Sequence, residues 1–326
     1  MKLMLKQALS ATINATGYFD RKIKGHEGNL ILVPMYHRII QEASEDPLAM
    51  GMCVSAENFR AQLSYFTKEY DVLTLAEIAQ LRSEGKALPE RTAAITFDDG
   101  YLDNLEVAGP ILQEYGTRAT LFVSTGFFGS ACGFWWDQVI NSLLNAKGSN
   151  LDTGQFNLPF TSMKLDDANV QQAINQTLEY LWQLPIDDAL IIVNQLVNEF
   201  GATQPFGPRV MVEKDLTSVE EYFDIGAHTC KHPNLSLISK DIVKQEIMDS
   251  KNYLEKFTSK PVTGFAAPGG FTPGYLTELL ADCGFDYAAT TRRGLNDSSV
   301  NLLALERIGM PNSTVSDLKR SIASLA

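Results

Sequence analysis

The chain has 326 residues, with 27 basic against 39 acidic side chains and a formal net charge of −12. Hydrophobic residues make up 45% and charged residues 20%, a globular composition that excludes global disorder. The acidic balance fits binding to nucleic-acid phosphates poorly, and no run approaches the roughly 18 apolar residues of a membrane span.

The amino-terminal stretch carries Lys2, Lys6, Arg21, Lys22 and Lys24 against Asp20. Lys6 and its polar neighbours interrupt the apolar core a signal peptide needs, so a cytoplasmic location is expected. A first helix lying on the body of the protein is the simpler reading of this stretch. Weak contact with an anionic membrane surface is the second. Leu30–Tyr36 then reads as a buried strand. Ser55 opens an amphipathic helix to about Lys68, Asp71–Leu73 is a short strand, and Thr74 caps a helix that stops at Gly85. Thr92–Phe97 is a strand, a helix follows near Asn104–Tyr115, and Ala119–Ser124 is another strand.

The rhythm breaks over residues 129–216. Helical patterns occupy Trp135–Asn145, Asp167–Leu184 and Ile186–Phe200 without a strong strand, which predicts a helical insertion within one domain spanning 1–326. Thr217-Ser-Val-Glu220 has the pattern of a capping box. Strands are then expected at Tyr222–Ala227, Val262–Ala267, Phe285–Thr290 and Leu302–Ile308. Helices are expected at Ser239–Phe257, Pro273–Cys283 and from about Thr314. About eight strands alternating with helices predict a parallel α/β sheet, and an open sheet and a closed barrel fit equally.

Polar residues collect at the carboxyl ends of these strands, the end where a parallel barrel carries its active site. His37 follows the first strand, Asp98-Asp99-Gly100 follows TAAITF, His228 and His232 follow the fourth long strand, and Pro268-Gly269-Gly270 follows the next. Three of the four histidines in the chain fall there. His228-x-x-x-His232 has a common metal-ligand spacing, and an anionic third ligand would come from Asp98 or Asp99. One aspartate would bind the metal and the other would remain a base beside a water of lowered pKa. The four cysteines, Cys53, Cys132, Cys230 and Cys283, form no C-x-x-C pair and are expected to be reduced. Cys230 lies between the histidines but is not counted as a ligand.

Thr96-Phe-Asp-Asp-Gly100 and His228-Thr-Cys-Lys-His232-Pro233 resemble the first two motifs of the polysaccharide deacetylase family (NodB-type, carbohydrate esterase family four). The resemblance implies a distorted (β/α)7-8 barrel and hydrolysis of acyl groups, most often acetyl, from amino sugars, at carbon–nitrogen bonds other than peptide bonds. It implies Asp99, His228 and His232 as ligands of one divalent metal and Asp98 as general base. Zinc is the default, with cobalt, nickel or iron compatible with the same donors. The third motif departs from the family pattern. It stands as Ala266-Ala-Pro-Gly-Gly270, with Ala266 at the place of its arginine and Gly269 at the place of its aromatic. The Gly269 N–H remains a candidate oxyanion donor, and Arg307 is a candidate to approach Asp98 from the last strand. No histidine follows His232, so the family's late acid histidine is missing. Val33–Arg38 resembles the Tyr-His segment of a subgroup with circularly permuted motifs, which makes His37 the candidate general acid.

Phe134-Trp-Trp-Asp137 resembles a segment of relatives with similar inserts. Trp135 or Trp136 is expected either as a wall against a sugar ring or as helix packing. Tyr101, Asn104 and Pro268 are expected to line the substrate cleft. The substrate would be an acylated sugar or glycan precursor. Rival readings are a deformylase or other amide hydrolase on a lipid- or nucleotide-linked sugar, and a glycan-binding protein that has lost catalysis. An iron-oxygenase triad is disfavoured because its H-x-[DE] pairing is absent.

Overall fold

Parallel strands in sequence order close on themselves. The computed structural model describes residues 12–25, 30–41, 52–203 and 209–326. Seven strands form the closed barrel: β1 (Pro34–Tyr36), β2 (Thr96–Phe97), β3 (Ala119–Val123), β4 (Phe223–Ala227), β5 (Gly264–Ala266), β6 (Tyr287–Arg293) and β7 (Leu305–Gly309). Every pairing is parallel, and Ile308 and Gly309 of β7 pair with Pro34 and Met35 of β1. That last ladder decides between the open sheet and the closed barrel. A register shift between Ala289 and Arg293 distorts the β6–β7 junction.

Two expected strands are each split. Leu30–Leu32 and Arg91–Ala93 extend β1 and β2 backwards into a separate four-stranded sheet with Asp71–Val72 and Asn296–Asp297. Leu302–Ala304 is a turn of 3₁₀ helix, and strand begins only at Leu305. Thr217–Glu220 is not a helix start. It closes the helix Glu213–Val219, whose first turn is capped by Asp215 accepting from the Val212 N–H at 2.9 Å. The Ser55 and Thr74 caps are present, the latter with Glu77 accepting from the Thr74 N–H at 2.7 Å.

Strand alternation sorts the core into two shells. Tyr36, Phe97, Phe223, Phe265 and Ile308 face outward into a cluster with the surrounding helices. Phe122, Ala266, Tyr287, Ala289 and Leu305 face into the barrel. The interior is narrow: a Cβ on Gly226 would lie 2.5 Å from the Phe122 ring, and one on Gly264 2.3 Å from the Tyr287 ring.

Between β3 and β4, helices Trp135–Asn145, Val170–Leu181 and Ile186–Phe200 enclose a second hydrophobic cluster. A short antiparallel hairpin, Asn150–Leu151 with Met163–Lys164, lies among them and had no strong pattern in the sequence. Residues 1–11 of the basic amino-terminal stretch lie outside the described residues. The helix Tyr18–Lys24 packs Phe19 and Ile23 inward, and Lys22 Nζ donates to the Ala323 carbonyl at 2.6 Å. Among the described residues no helix is long and apolar enough to cross a membrane.

Tyr36, Phe59 and Phe97 pack ring to ring with centroids 5.1–5.7 Å apart, directly beneath the residues that follow β1 and β2. Phe59→Ala is expected to lower the unfolding free energy by about 3–5 kcal/mol through the cavity it leaves, measured by denaturant titration.

Candidate active site

The alternation that sends Tyr36, Phe97 and Ala227 outward puts the next residue of each strand, His37, Asp98 and His228, over the barrel mouth. Arg307 shares the inward face of β7 with Leu305, and its buried side chain runs through the barrel interior to Asp98. The guanidinium forms a two-pronged pair with that carboxylate: Nη1 to Oδ1 and Nη2 to Oδ2, both 2.7 Å. Its Nε donates to the Thr290 carbonyl at 2.7 Å, and Nη1 also reaches Thr96 Oγ1 at 3.3 Å. Burial opposes ionisation of Asp98, but the charges of Arg307, His228 and His37 and the Arg307 hydrogen bond hold its carboxyl well below the ordinary carboxylate range.

Asp99 behaves in the opposite sense. Burial, then the charges of Asp98 and Asp137, push its carboxyl well above the usual value. Its Oδ1 lies 3.6 Å from His228 Nε2 and 3.5 Å from His232 Nε2. Asp99 Oδ2 and His232 Nδ1 are buried with no hydrogen-bond partner among the described residues. His228 Nδ1 lies 2.8 Å from the Ala266 carbonyl, which fixes the tautomer and leaves Nε2 with a lone pair. Burial lowers the proton affinity of both imidazoles, further at His232 through the neighbouring His228.

Three donor atoms within 4.8 Å of one another, two of them neutral imidazole nitrogens, fit a divalent cation. Ligands about 2.0–2.1 Å from a tetrahedral centre lie about 3.4 Å apart, close to the separations seen here. The donor set and the unpartnered carboxylate oxygen therefore suit one nitrogen- and oxygen-ligated metal. Asp99, Thr229 and His232 all have positive φ (78°, 64° and 54°), so three of the four non-glycine residues in that region among the described residues belong to the site.

The half-buried His37 ring has its proton affinity lowered to about 4, first by burial and then by Arg307 and His228, against the opposing pull of Asp98. Its carbonyl accepts from Asn104 Nδ2 at 2.7 Å, and the following Arg38 is paired with Asp103 at 2.8 Å. Asn104 begins a π-helical turn, Asn104–Ala108. It is fully buried and supports His37 from behind, so it does not line a cleft as expected from sequence.

Tyr101 is likewise buried. Its hydroxyl donates to Asp137 Oδ2 at 3.0 Å and accepts from Trp136 Nε1 at 2.8 Å. Trp135 is 1% exposed and packs within the helical segment, so it offers no face to a sugar. Trp136 lies over the His232 ring, centroids 4.6 Å apart, and is itself covered by Phe134 at 4.8 Å. Trp182, which sequence reasoning did not single out, is the aromatic that stays half-buried beside the site. It meets His232 at 5.5 Å and Phe271 at 5.7 Å.

The Pro268–Gly270 turn explains its own departure from the motif. Gly269 and Gly270 both have positive φ (56° and 76°), and a Cβ on Gly270 would lie 1.7 Å from Thr291 Oγ1. Gly269 is exposed and adjoins Trp182, whereas Pro268 is buried. Cys230 stands apart from the ligand group; burial pushes its thiol up to about 11.

Residues 85–288 match the family model for polysaccharide deacetylase, more than half of the chain. The chain belongs to the polysaccharide deacetylase family. The match holds Asp98, Asp99, His228, His232 and the Pro268 turn, while His37 and Arg307 lie outside it. This family member is 30% identical over 132 residues to a poly-β-1,6-N-acetyl-D-glucosamine N-deacetylase of Staphylococcus epidermidis, a span of 36% of this chain and 44% of that one. It is 33% identical over 127 residues to the protein of the same name from Staphylococcus aureus, spanning 36% and 43%. The alignment thus covers less than half the length of these curated relatives. Its fold is similar to that of the Streptococcus pyogenes deacetylase PplD in complex with acetate, with a TM-score of 0.61, 20% identity and coverage of 90% and 99%. IcaB from Ammonifex degensii gives 0.57, 16%, 91% and 97%.

The raised Asp99 carboxyl makes a signed prediction for metal-free protein. A carboxyl whose folded pKa exceeds its unfolded value, about 3.9, destabilises the fold increasingly as pH rises above that unfolded value. Metal-free Asp99→Asn is therefore expected to be more stable to urea than the metal-free wild type at pH 7. The gap should close as pH falls towards about 4.

Proposed function

We propose that this chain is a metal-dependent hydrolase that removes an N-acyl group, in first place acetyl, from an amino sugar of a glycan or glycan precursor. The observation that carries the reading is the junction of two unlike carboxylates. Asp98 is ionised and clamped by Arg307, and beside it Asp99 shares a cation-shaped site with His228 and His232. A divalent ion held by those three residues would supply positive charge to polarise the amide carbonyl and acidify water.

The chain's own groups divide the remaining work. Asp98 accepts a proton from the attacking water, and Arg307 keeps its oxygens ionised and aimed. A carboxyl held so acidic readily gives that proton up again. The Gly269 N–H is the donor offered to the oxyanion of the tetrahedral adduct. His37 is the acid for the departing nitrogen. It is neutral before attack; the negative charge developing on the adduct raises its affinity for the water proton that Asp98 gives up, which it takes and then delivers to the nitrogen. The C–N bond breaks, the carboxylate product keeps the water oxygen, and the amine leaves protonated. Trp136 and Trp182 exclude water from one side of the site.

The family match, and the names of the staphylococcal relatives, support an acetylated amino sugar as the substrate class. The intact ligand trio and ion-paired base favour an enzyme over a glycan-binding protein that has lost catalysis.

Elemental mass spectrometry of the purified wild type beside His232→Ala tests the centre. Near-stoichiometric metal in the first and its loss in the second is expected, together with acetate release from N-acetylated glucosamine oligomers by the wild type alone. Protein that holds no metal after reconstitution with zinc, cobalt or nickel would sink the mechanism. For His37→Gln, turnover should fall by about 10²–10⁴-fold with metal content unchanged. Metal loss in that variant would refute its role as acid.

A further inference from the structure

Helix Lys240–Leu254 turns Val243, Glu246, Ile247, Ser250 and Leu254 towards the barrel, so a glutamate occupies an apolar-stripe position. Glu246 is buried, and its Oε2 accepts from two consecutive backbone N–H groups, Cys230 at 2.9 Å and Lys231 at 3.0 Å. These are residues of the loop between His228 and His232, and they are flanked by Thr229 and His232 in the left-handed region. Successive N–H groups beside such a residue form a concavity that binds an anion. The far side of the same loop is tied to the residues after β3. Ser124 Oγ donates to the His228 carbonyl at 2.8 Å, and Gly126 N to the Cys230 carbonyl at 2.9 Å. A Cβ at Gly126 would lie 2.7 Å from that carbonyl oxygen. The loop is therefore gripped on both sides, and Glu246 is the buried charged group that takes its backbone N–H groups.

We propose that Glu246 is a positioning residue of the metal centre: its carboxylate fills the backbone concavity between the two histidines and sets the separation and aim of their imidazoles. It touches neither substrate nor metal. The proposal rests on the metal-centre reading above and adds a determinant that lies outside the ligand set. Without the anion, the two N–H groups lose their buried acceptor and the left-handed turns at Thr229 and His232 lose one side of what holds them. The histidines then present a wider range of Nε2–Nε2 separations, and the ion is held less tightly.

The test uses the full chain loaded with Zn²⁺ or Co²⁺ alone. Zn²⁺ affinity is read by competition with a chromophoric chelator, Co²⁺ geometry by the visible d–d spectrum, and fold by the thermal midpoint of metal-free protein. Glu246→Ala should bind Zn²⁺ about 10–100-fold more weakly, the range for residues that orient metal ligands, with an altered Co²⁺ spectrum. Glu246→Gln, which keeps an acceptor oxygen without the charge, should fall between it and wild type, and decides the matter if the alanine variant does not fold. Ile322→Ala, in the core of the remote helix Val315–Ala323, lowers the midpoint as a stability control and should keep wild-type affinity and spectrum. Wild-type affinity and spectrum in the folded Glu246 variants would overturn the proposal, as would a loss in Ile322→Ala that tracks its midpoint. A wild type that takes up neither ion overturns the metal reading itself, a separate result that no variant is needed to see.

Discussion

Two adjacent carboxylates are buried at one end of this barrel, and they cannot both carry charge without compensation. Much of the site can be understood as the answer to that constraint. Asp98 receives a guanidinium of fixed geometry from across the barrel, with two of the other guanidinium hydrogens directed to Thr290 and Thr96. Among the described residues no lysine or arginine pairs with Asp99, which faces two imidazoles that burial keeps neutral. One carboxylate is thus satisfied by the chain and the other is left wanting a cation. That asymmetry gives two identical side chains, neighbours in sequence, different chemistry.

The cation for Asp98 reaches it by an unusual route. The motif position at the end of β5 that resembles the family's arginine site holds Ala266, which faces the barrel interior. Arg307 enters from β7 through that same interior, its guanidinium 5.8 Å from the Phe122 ring centroid, so the long side chain occupies space that small residues leave free. The double glycine after β5 belongs to the same rearrangement. With two consecutive residues in the left-handed region, the turn excludes the aromatic expected there and leaves the outer wall to Trp182 from the helical segment.

The helical segment is joined to the barrel through polar as well as apolar contacts. Asp137, Tyr101 and Trp136 form a buried hydrogen-bonded chain from the helix Trp135–Asn145 to the segment just past Asp99, and the Trp136 ring ends on His232. Lys231, between the histidines, pairs with Asp187 at the start of the next helix but one at 2.7 Å, an exposed contact of small energetic weight. The His228–His232 loop is therefore bounded by the barrel, by the Lys240–Leu254 helix and by the helical segment.

Local chemistry in the sequence was enough to show the alternation of strands and helices, the helical run between the third and fourth barrel strands, and the collection of His37, Asp98, Asp99, His228 and His232 at strand ends. Each of these depends on periodicity or on residues close in the chain. Tyr101, Asn104 and Pro268 were misjudged as cleft residues, and Trp135 takes the packing alternative of its two readings, because a side chain's exposure depends on what packs over it. Glu246 left a trace, a charge on an apolar stripe, but its partners are backbone groups whose direction no residue type encodes. The closure of the barrel was implied by the family resemblance of the motifs and not by the strand pattern, because the β7–β1 ladder joins residues more than 270 positions apart. Arg307 could be named as a candidate from its place at a strand; only the closed barrel brings it within 2.7 Å of Asp98. Sequence determined which groups are available for chemistry, and tertiary structure decided which of them are charged, since that depends on burial and on neighbours the chain brings together only when folded.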